Sequence, residues 1–281
     1  MRLLSYREER AHSWNGAVLL NDGPHALDAT VRQFLQMPAS RRDEVAALAA
    51  ERPALNLADE QIGPPVPDAG KIFCLGINYL SHADEVEMAI AEAPTVFTKF
   101  ANTLVGPRTP IRLPAAAPSQ VDYEVEVALV IGRTCRRTSA DHALEAVAGF
   151  MVLNDVSARD LQLQTSQWTM GKTVDGFAPC GPCLVSTDEV ADFDSLHLRT
   201  RVNGEERQSA RAGQMIFKPA ETIAFISSLV TLEIGDIIAT GTPAGVGMSF
   251  DPPCYLRPGD VVETEVEGIG VLVNEVRAEA G

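Results

Sequence analysis

An apolar, β-branched run between residues 121 and 132 carries two carboxylates, Glu124 and Glu126, two positions apart. Such a run predicts a β-strand, because β-branched residues suit a pleated, half-buried surface. Side chains alternate between the faces of a strand, so both carboxylates are expected on one face and the intervening aliphatic residues on the other. Two buried carboxylates repel each other unless a cation lies between them. The pattern therefore indicates a divalent-metal site, and a solvated acidic edge strand is the alternative.

A third carboxylate, Asp155, follows the apolar run of residues 149–153 and precedes an expected helix. Polar groups are common at such strand ends. Three carboxylates form an all-oxygen site that leaves metal positions open for water and substrate, as Mg²⁺ or Mn²⁺ requires. Alone, Asn154 and Asp155 before a helix would more often be a cap or a turn. Glu124, Glu126 and Asp155 are thus the candidate metal ligands.

Short β-branched segments dominate after residue 68, and helical spacing is rare. Strands are predicted over residues 72–75, 125–131, 151–153, 184–186, 196–202, 237–240, 261–266 and 271–276, and helices over 139–146 and 219–229. Residues 1–68 hold a few apolar runs and a charged helical stretch at 40–51, and the proline-rich cluster at 63–68 reads as a linker. We therefore predict a β-rich α+β fold, with a small N-terminal α/β domain (1–68) and a catalytic domain (69–281).

The composition excludes several classes of partner. Lys and Arg number 23 against 38 Asp and Glu, which gives a net charge of −15 and repels nucleic acid and anionic lipid. No apolar run reaches the roughly 20 residues of a membrane span, and the N-terminus lacks a signal-like apolar core. We expect a cytoplasmic enzyme with a small-molecule substrate and no nucleic-acid or membrane partner.

The five cysteines are an odd number scattered along the chain, which predicts free thiols rather than a disulfide framework. Cys180-Gly181-Pro182-Cys183 matches the redox motif of thioredoxin-like proteins, where it begins a helix after a strand. Here a strand-like run follows at 184–187. We therefore interpret it as a turn entering a strand.

Five motifs occur in order along the chain. They are Gly-Ile-Asn-Tyr-Leu-Ser-His-Ala-Asp-Glu at 76–85, Asp-Tyr-Glu-Val-Glu at 122–126, Asn-Asp-Val-Ser-Ala-Arg-Asp at 154–160, Gly-Lys at 171–172 and Thr-Gly-Thr-Pro-Ala-Gly-Val-Gly at 240–247. Together they resemble the fumarylacetoacetate hydrolase family from about residue 71 to the C-terminus, and within it the bacterial members that cleave acylpyruvates and 2,4-dioxo sugar acids. The resemblance implies a rolled mixed β-sheet catalytic domain, a Mg²⁺ or Mn²⁺ cofactor and a homodimer.

The resemblance also implies site residues. His82 and Glu85 share one face if residues 81–91 are helical, and a carboxylate that accepts from one imidazole nitrogen leaves the other as a base toward water. In the family this pair lies on a flexible lid, and Lys172 lies in the pocket, where a buried ammonium neutralises developing charge. Without that context the pair would be a surface pair and the lysine a solvated one. The matching substrate-binding positions are Tyr79, Arg159, Gln162 and Thr242, and Lys99 matches a supporting lysine.

The activity that the resemblance implies is hydrolysis of a carbon–carbon bond in a 2,4-dioxo acid, such as an acylpyruvate, with release of pyruvate and a carboxylic acid. Oxaloacetate-type decarboxylation and enol–keto isomerisation use the same kind of site and stay open. So does a non-enzymatic metal-binding scaffold, although a scaffold has no use for a base at His82. Residues 83–94 carry four acids and no Lys or Arg, which disfavours a dicarboxylate substrate.

Overall fold

A computed structural model describes residues 1–8, 11 and 13–279. Its strands are β1 (Arg2–Tyr6), β2 (Asn15–Leu20), β3 (Gly23–Ala26), β4 (Ile72–Gly76), β5 (Thr95–Lys99), β6 (Leu104–Val105), β7 (Ile111–Leu113), β8 (Val121–Asp122), β9 (Val125–Ile131), β10 (Val147–Asn154), β11 (Ser157–Ala158), β12 (Ala178–Ser186), β13 (His197–Val202), β14 (Glu205–Arg211), β15 (Ile237–Ala239), β16 (Val261–Val266) and β17 (Gly270–Ala278). Its α-helices are α1 (Val31–Gln36), α2 (Ala39–Ala50), α3 (Leu80–Glu85), α4 (Ala140–Ala143), α5 (Arg159–Gln162), α6 (Thr169–Lys172) and α7 (Pro219–Leu229).

The strands form one large mixed sheet and two smaller ones. The ten-stranded sheet has the order β3-β2-β1-β12-β10-β9-β15-β4-β5, and β6 pairs with β12 beside this path. Its neighbours are antiparallel except for the parallel pairs β15–β4 and β12–β6. A five-stranded sheet has the order β14-β13-β16-β17-β7, and β8 pairs with β11. This architecture confirms the predicted β-rich α+β class.

Strand β9 lies inside the large sheet and is buried along its whole length. Val125, Val127 and Leu129 belong to one hydrophobic cluster, and Ala128 and Val130 belong to a second one. The two-residue alternation read from the sequence is therefore correct. Both faces of the strand are covered, so the alternative of a solvated acidic edge is wrong.

The run at 121–132 is two strands, β8 and β9, and not one. Residues 123 and 124 leave the ladder because their backbone groups bond to side chains. The N–H of Tyr123 donates to the Asp122 carboxylate (2.9 Å), and the N–H of Glu124 donates to the Asn154 side-chain oxygen (3.0 Å). Glu124 thus immediately precedes β9, and Glu126 lies within it.

Other elements follow the predicted local patterns. Helix α7 has the predicted bounds, while the segment 139–146 is the short α4 followed by a 3-10 turn at Leu144–Ala146. The hairpin between β13 and β14 turns at Asn203 and Gly204, whose φ values of 54° and 80° suit a type I′ turn.

The Cys180–Cys183 segment lies within β12 and does not form a turn before it. The register between β10 and β12 shifts between Phe150 and Val152, because β12 has more residues than β10 over this stretch. The irregularity is therefore a β-bulge. All five cysteines have free thiols. Burial raises the pKa of Cys183 to about 11 and that of Cys180 further, which suits inert structural thiols.

The N-terminal strands continue the large sheet. Arg2 and Leu3 of β1 pair with β12, so β1, β2 and β3 extend the same hydrogen-bonded ladder. The cluster at 63–68 lacks regular secondary structure, but it is largely buried, and Gly63 packs against the Trp14 ring. A separate domain over residues 1–68 stays a prediction. Among the described residues, no helix combines the length and apolar character needed to cross a membrane.

Candidate metal and active site

Three carboxylates meet where β9 begins and β10 ends. Because these strands are antiparallel, with Leu153 opposite Glu126, the start of β9 lies beside the chain that leaves β10. Glu124, Glu126 and Asp155 are all buried and offer oxygen atoms within 4.8 Å of one another. The structure thus brings together the three residues that the sequence proposes as metal ligands.

Buried cations surround two of these carboxylates. The Lys172 ammonium lies 2.8 Å from both Glu124 and Asp155, and Lys99 lies 2.6 Å from Asp155. Arg159 bonds to Glu124 at 2.8 Å. Burial favours a higher pKa for Glu124, but Lys172 and Arg159 outweigh it and lower that pKa to about 2. Burial likewise opposes charge on Lys172, yet Asp155 and Glu124 raise its pKa.

Glu126 differs from Glu124 and Asp155, and its surroundings show whether a metal ion fits the site. Its Oε2 accepts from the N–H of Gly241 at 2.9 Å, while its buried Oε1 has no hydrogen-bond partner in the part of the chain described. Burial, Asp155 and Glu124 raise its pKa well above the ordinary value. A buried carboxylate that lacks a cation but faces two others is the donor set that Mg²⁺ or Mn²⁺ satisfies. The residues present fit such an ion.

His82 and Glu85 form the predicted pair on α3. The Nδ1 of His82 lies 3.1 Å from Glu85, and the second carboxylate oxygen of Glu85 accepts from the N–H of Gly245 at 2.8 Å. Glu85 therefore holds the imidazole and also ties α3 to the 240–247 loop. The helix ends at Glu85 and does not extend to residue 91, since Glu87 takes a left-handed conformation with φ of 54°. The two residues needed for the pair lie within the shorter helix.

A cavity of about 180 Å³ lies beside the carboxylate cluster, and Glu124 is the member of the cluster that lines it. Among its lining residues are six of the predicted ones, namely His82, Glu124, Arg159, Gln162, Lys172 and Thr242. Tyr79 is not among the residues that line this cavity. It is fully buried, forms a backbone bridge to Met215, and its hydroxyl has no partner among the residues described. Tyr79 therefore supports the hinge before α3 from within the core.

Asp122 organises the site, although the sequence reading gave it no role. Its buried carboxylate accepts from Arg159 Nε (2.9 Å) and from the N–H groups of Gly247 (2.7 Å) and Met248 (3.1 Å). It therefore fixes the guanidinium that contacts Glu124 and one end of the 240–247 loop. Its place in the Asp-Tyr-Glu-Val-Glu motif was the available signal.

Gln208 is a second residue that sequence reasoning missed. Its amide nitrogen donates to the Thr242 hydroxyl and to the Pro243 carbonyl, both at 2.9 Å, and its oxygen accepts from the N–H of Val125 at 3.0 Å. Gln208 thus locks the loop that carries Thr242 onto the start of β9. Since β14 belongs to the five-stranded sheet and β9 to the ten-stranded one, nothing in the local sequence indicates this contact.

Comparisons with known proteins agree with this arrangement. Residues 71–277 match the family described as fumarylacetoacetate (FAA) hydrolase C-terminal. The chain is 43% identical over 267 residues to the mitochondrial oxaloacetate tautomerase Fahd2a of Rattus norvegicus, covering 93% of this chain and 84% of that protein. A structure titled putative HpcE protein, from Mycobacterium smegmatis, superposes with a TM-score of 0.88 at 34% identity over 100% of both chains. Maleylpyruvate hydrolase from Sphingobium sp. SYK-6, in complex with manganese(II) and pyruvate, gives 0.83 at 26% identity over 100% of both. The chain belongs to the fumarylacetoacetate hydrolase family.

Proposed function

We propose that this protein is a divalent-metal-dependent enzyme that acts on the enol and keto forms of a small 2-oxo acid with a second carbonyl or carboxyl group at C4. The observation that carries this proposal is the Oε1 of Glu126, which has no hydrogen-bond partner among the described residues and lies within reach of Glu124 and Asp155, beside a cavity that Glu124 and His82 line. A cation site and a base thus face one small ligand volume. The manganese and pyruvate of the maleylpyruvate hydrolase neighbour support the same class of ligand.

The residues divide the work by position. Glu124, Glu126 and Asp155 hold the Mg²⁺ or Mn²⁺, which when bound supplies a Lewis acid for the oxo-acid end of the substrate. Lys172 keeps a second positive charge beside the metal site. Polar contacts along the cavity wall come from Arg159, Gln162 and Thr242.

Proton transfer falls to His82. Glu85 accepts a hydrogen bond from Nδ1–H of His82, which leaves Nε2 free to take a proton from C3 of the substrate or to return one.

Enol–keto tautomerisation of an oxaloacetate-type substrate is the first candidate reaction. It needs only that one proton leave C3 and one reach the C2 oxygen, or the reverse, and the rat relative named for it is 43% identical. Hydrolysis of the C3–C4 bond of an acylpyruvate, which releases pyruvate, is the second candidate. The His82–Glu85 pair favours it, since an oriented imidazole can also deprotonate water. Assembly as a homodimer stays a prediction.

The test compares both reactions in one enzyme and one variant pair. We expect loss of enol absorbance with oxaloacetate, or pyruvate release from acetylpyruvate, to require Mg²⁺ or Mn²⁺. His82→Ala should lower the rate by about 10²-fold or more while metal affinity stays close to that of the wild type. His142→Ala is the control, because His142 forms the same kind of pair with Glu145 (2.8 Å) on an exposed surface. Full activity in excess chelator, or in His82→Ala, would contradict the proposal.

A further inference from the structure

Ile77 has a strained backbone at the edge of the cavity. It lies between β4 and α3 with φ of 52°, in the left-handed region. That region is a genuine outlier for a β-branched residue, whereas glycine or asparagine enters it at much lower cost. If position 77 served only to turn the chain, glycine would adopt the required backbone conformation at lower cost. We therefore expect the isoleucine side chain to have a function beyond the turn.

The surrounding contacts hold the backbone in this conformation. The Asn78 side chain donates to the carbonyls of Phe217 (3.0 Å) and Thr240 (2.7 Å) and accepts from the N–H of Phe217 (2.7 Å). Its own carbonyl accepts from the N–H of Ile216 at 2.8 Å. Four hydrogen bonds thus fix the residue that follows Ile77. Strain persists where surrounding structure over-determines it, and such sites cluster at ligand-binding positions.

Ile77 lines the cavity together with several apolar residues, which we call the apolar wall. The cavity lining includes Ile77, Met88, Phe97, Trp168 and Met248. Phe97 and Trp168 meet edge to face with ring centres 5.6 Å apart. Trp168 also packs directly on Gly76, where a Cβ atom would lie 2.3 Å from the ring. Once the oxo-acid end of a ligand faces the carboxylate cluster, the rest of the ligand meets this wall.

The wall has no spare positive charge. Of the described residues that line the cavity, Arg159 and Lys172 are cationic, and both already bond to Glu124. A terminal carboxylate on the ligand would lose its hydration against this wall without gaining a partner. An alkyl or aryl end would instead gain from burial. The volume of about 180 Å³ suits one small ligand, since an apolar cavity of about 150 Å³ holds benzene.

We propose that Ile77 is a specificity-determining residue, held in a strained conformation so that the apolar wall selects 2-oxo acids whose far end is alkyl or aryl over those that end in a carboxylate. This inference rests on the proposed function, because it assumes that the oxo-acid end binds at the carboxylate cluster. The selection applies to ligands whose carbon chain extends past C4. The carbon chain of oxaloacetate ends at C4, so this selection does not apply to oxaloacetate.

The test uses two ligands of the same shape. In 6-methyl-2-oxoheptanoate an isopropyl group replaces the distal carboxylate of 2-oxoadipate, and binding of either to the full chain with Mn²⁺ can be measured by calorimetry without turnover. We expect the wild type to bind the isopropyl ligand at least about tenfold more tightly. Ile77→Gly and Ile77→Asn should reduce that ratio by about tenfold, within the usual range for losing aliphatic contacts in a pocket.

Arg137→Gly is the matched control, because Arg137 has φ of 55° at an exposed position outside the cavity. It should leave the binding ratio unchanged. The thermal midpoint of Ile77→Asn should stay at or above that of the wild type, since asparagine relieves the strain. A lower midpoint with an unchanged ratio would identify Ile77 as a packing residue and overturn the inference.

The outcomes also separate the inference from the proposed function. Equal binding of the two ligands by an enzyme that tautomerises oxaloacetate would overturn the role of Ile77 and leave the proposed function intact. Tighter binding of 2-oxoadipate would do the same. Failure to bind either ligand, with no activity on oxaloacetate or acetylpyruvate, would overturn both.

Discussion

The substitution Glu126→Gln should have opposite effects on the metal-free and the metal-bound protein. Glu126 is 1% exposed, its Oε1 has no partner among the described residues, and one of its carboxylate oxygens lies within 4.8 Å of an oxygen of Glu124 and of an oxygen of Asp155. Glutamine keeps an oxygen for the N–H of Gly241 and presents an amide group to the two remaining carboxylates. We expect the variant to be more stable without metal and to lose the stabilisation that metal provides.

The magnitude follows from the spacing. Two unit charges 4.8 Å apart repel by about 3.5 kcal/mol at an effective dielectric constant of about 20. Lys172 offsets part of that repulsion, and protonation of Glu126, whose pKa is raised, relieves more. A gain of about 1–2 kcal/mol in the metal-free free energy of unfolding remains. A metal at 100 times its Kd stabilises a protein by about 2.7 kcal/mol, and the variant should lose most of this.

Glu124→Gln is the matched comparison, because it makes the same chemical change two residues away. Glu124 has two cationic partners, Lys172 and Arg159, which together lower its pKa to about 2. Removing its charge leaves both cations short of a partner, so metal-free stability should fall by about 3 kcal/mol.

Urea unfolding followed by circular dichroism, in chelator and in excess Mg²⁺, measures both effects on the two variants. A Glu126→Gln variant that is less stable than the wild type in chelator would refute the role given to Glu126. That role is refuted equally if the variant keeps the full stabilisation by Mg²⁺.

Three further predictions concern other parts of the chain. Asp122→Asn should lower kcat with little change in metal affinity measured by calorimetry, because Asp122 bonds to the 240–247 loop and to Arg159 but to none of the three ligands. Gly149→Ala should lower the thermal midpoint, since the new Cβ would lie 2.2 Å from the Val185 carbonyl oxygen. The hydrogen bond to Asp22 raises the pKa of His25 above 6.5, so its stabilisation is complete below that pH and is lost as pH rises through the raised pKa. His25→Gln should remove this loss in urea unfolding between pH 6 and 8.

The features that the sequence predicted well are those encoded locally. The alternation along β9 and the helical spacing of α7 each depend on neighbours within a few residues, and the structure reproduces their bounds. The carboxylate cluster was also foreseeable, because the Glu124 and Glu126 pair needs a cation wherever it is buried.

The features that were missed depend on contacts between distant parts of the chain. Asp122 binds the N–H of Gly247, 125 residues away, and Gln208 reaches Thr242 from another sheet. Tyr79 shows the converse error. It is three residues from His82, yet its side chain is fully buried and does not line the cavity. Closeness within a sequence motif does not determine which way a side chain points, whereas its position relative to the sheets does.

The charges of the site explain how so acidic a protein can bind an anion. The chain carries a net charge of −15, which repels a 2-oxo acid at long range. Within the buried cluster, four carboxylates, counting Asp122, face the three cations Lys99, Arg159 and Lys172. When Glu126 is ionised, one negative charge is in excess, and Glu126 is the carboxylate that none of these cations pairs with. A divalent ion would reverse the excess to one positive charge, in a site where low dielectric strengthens attraction. The same ion would thus satisfy Glu126 and make the cavity attractive to its substrate.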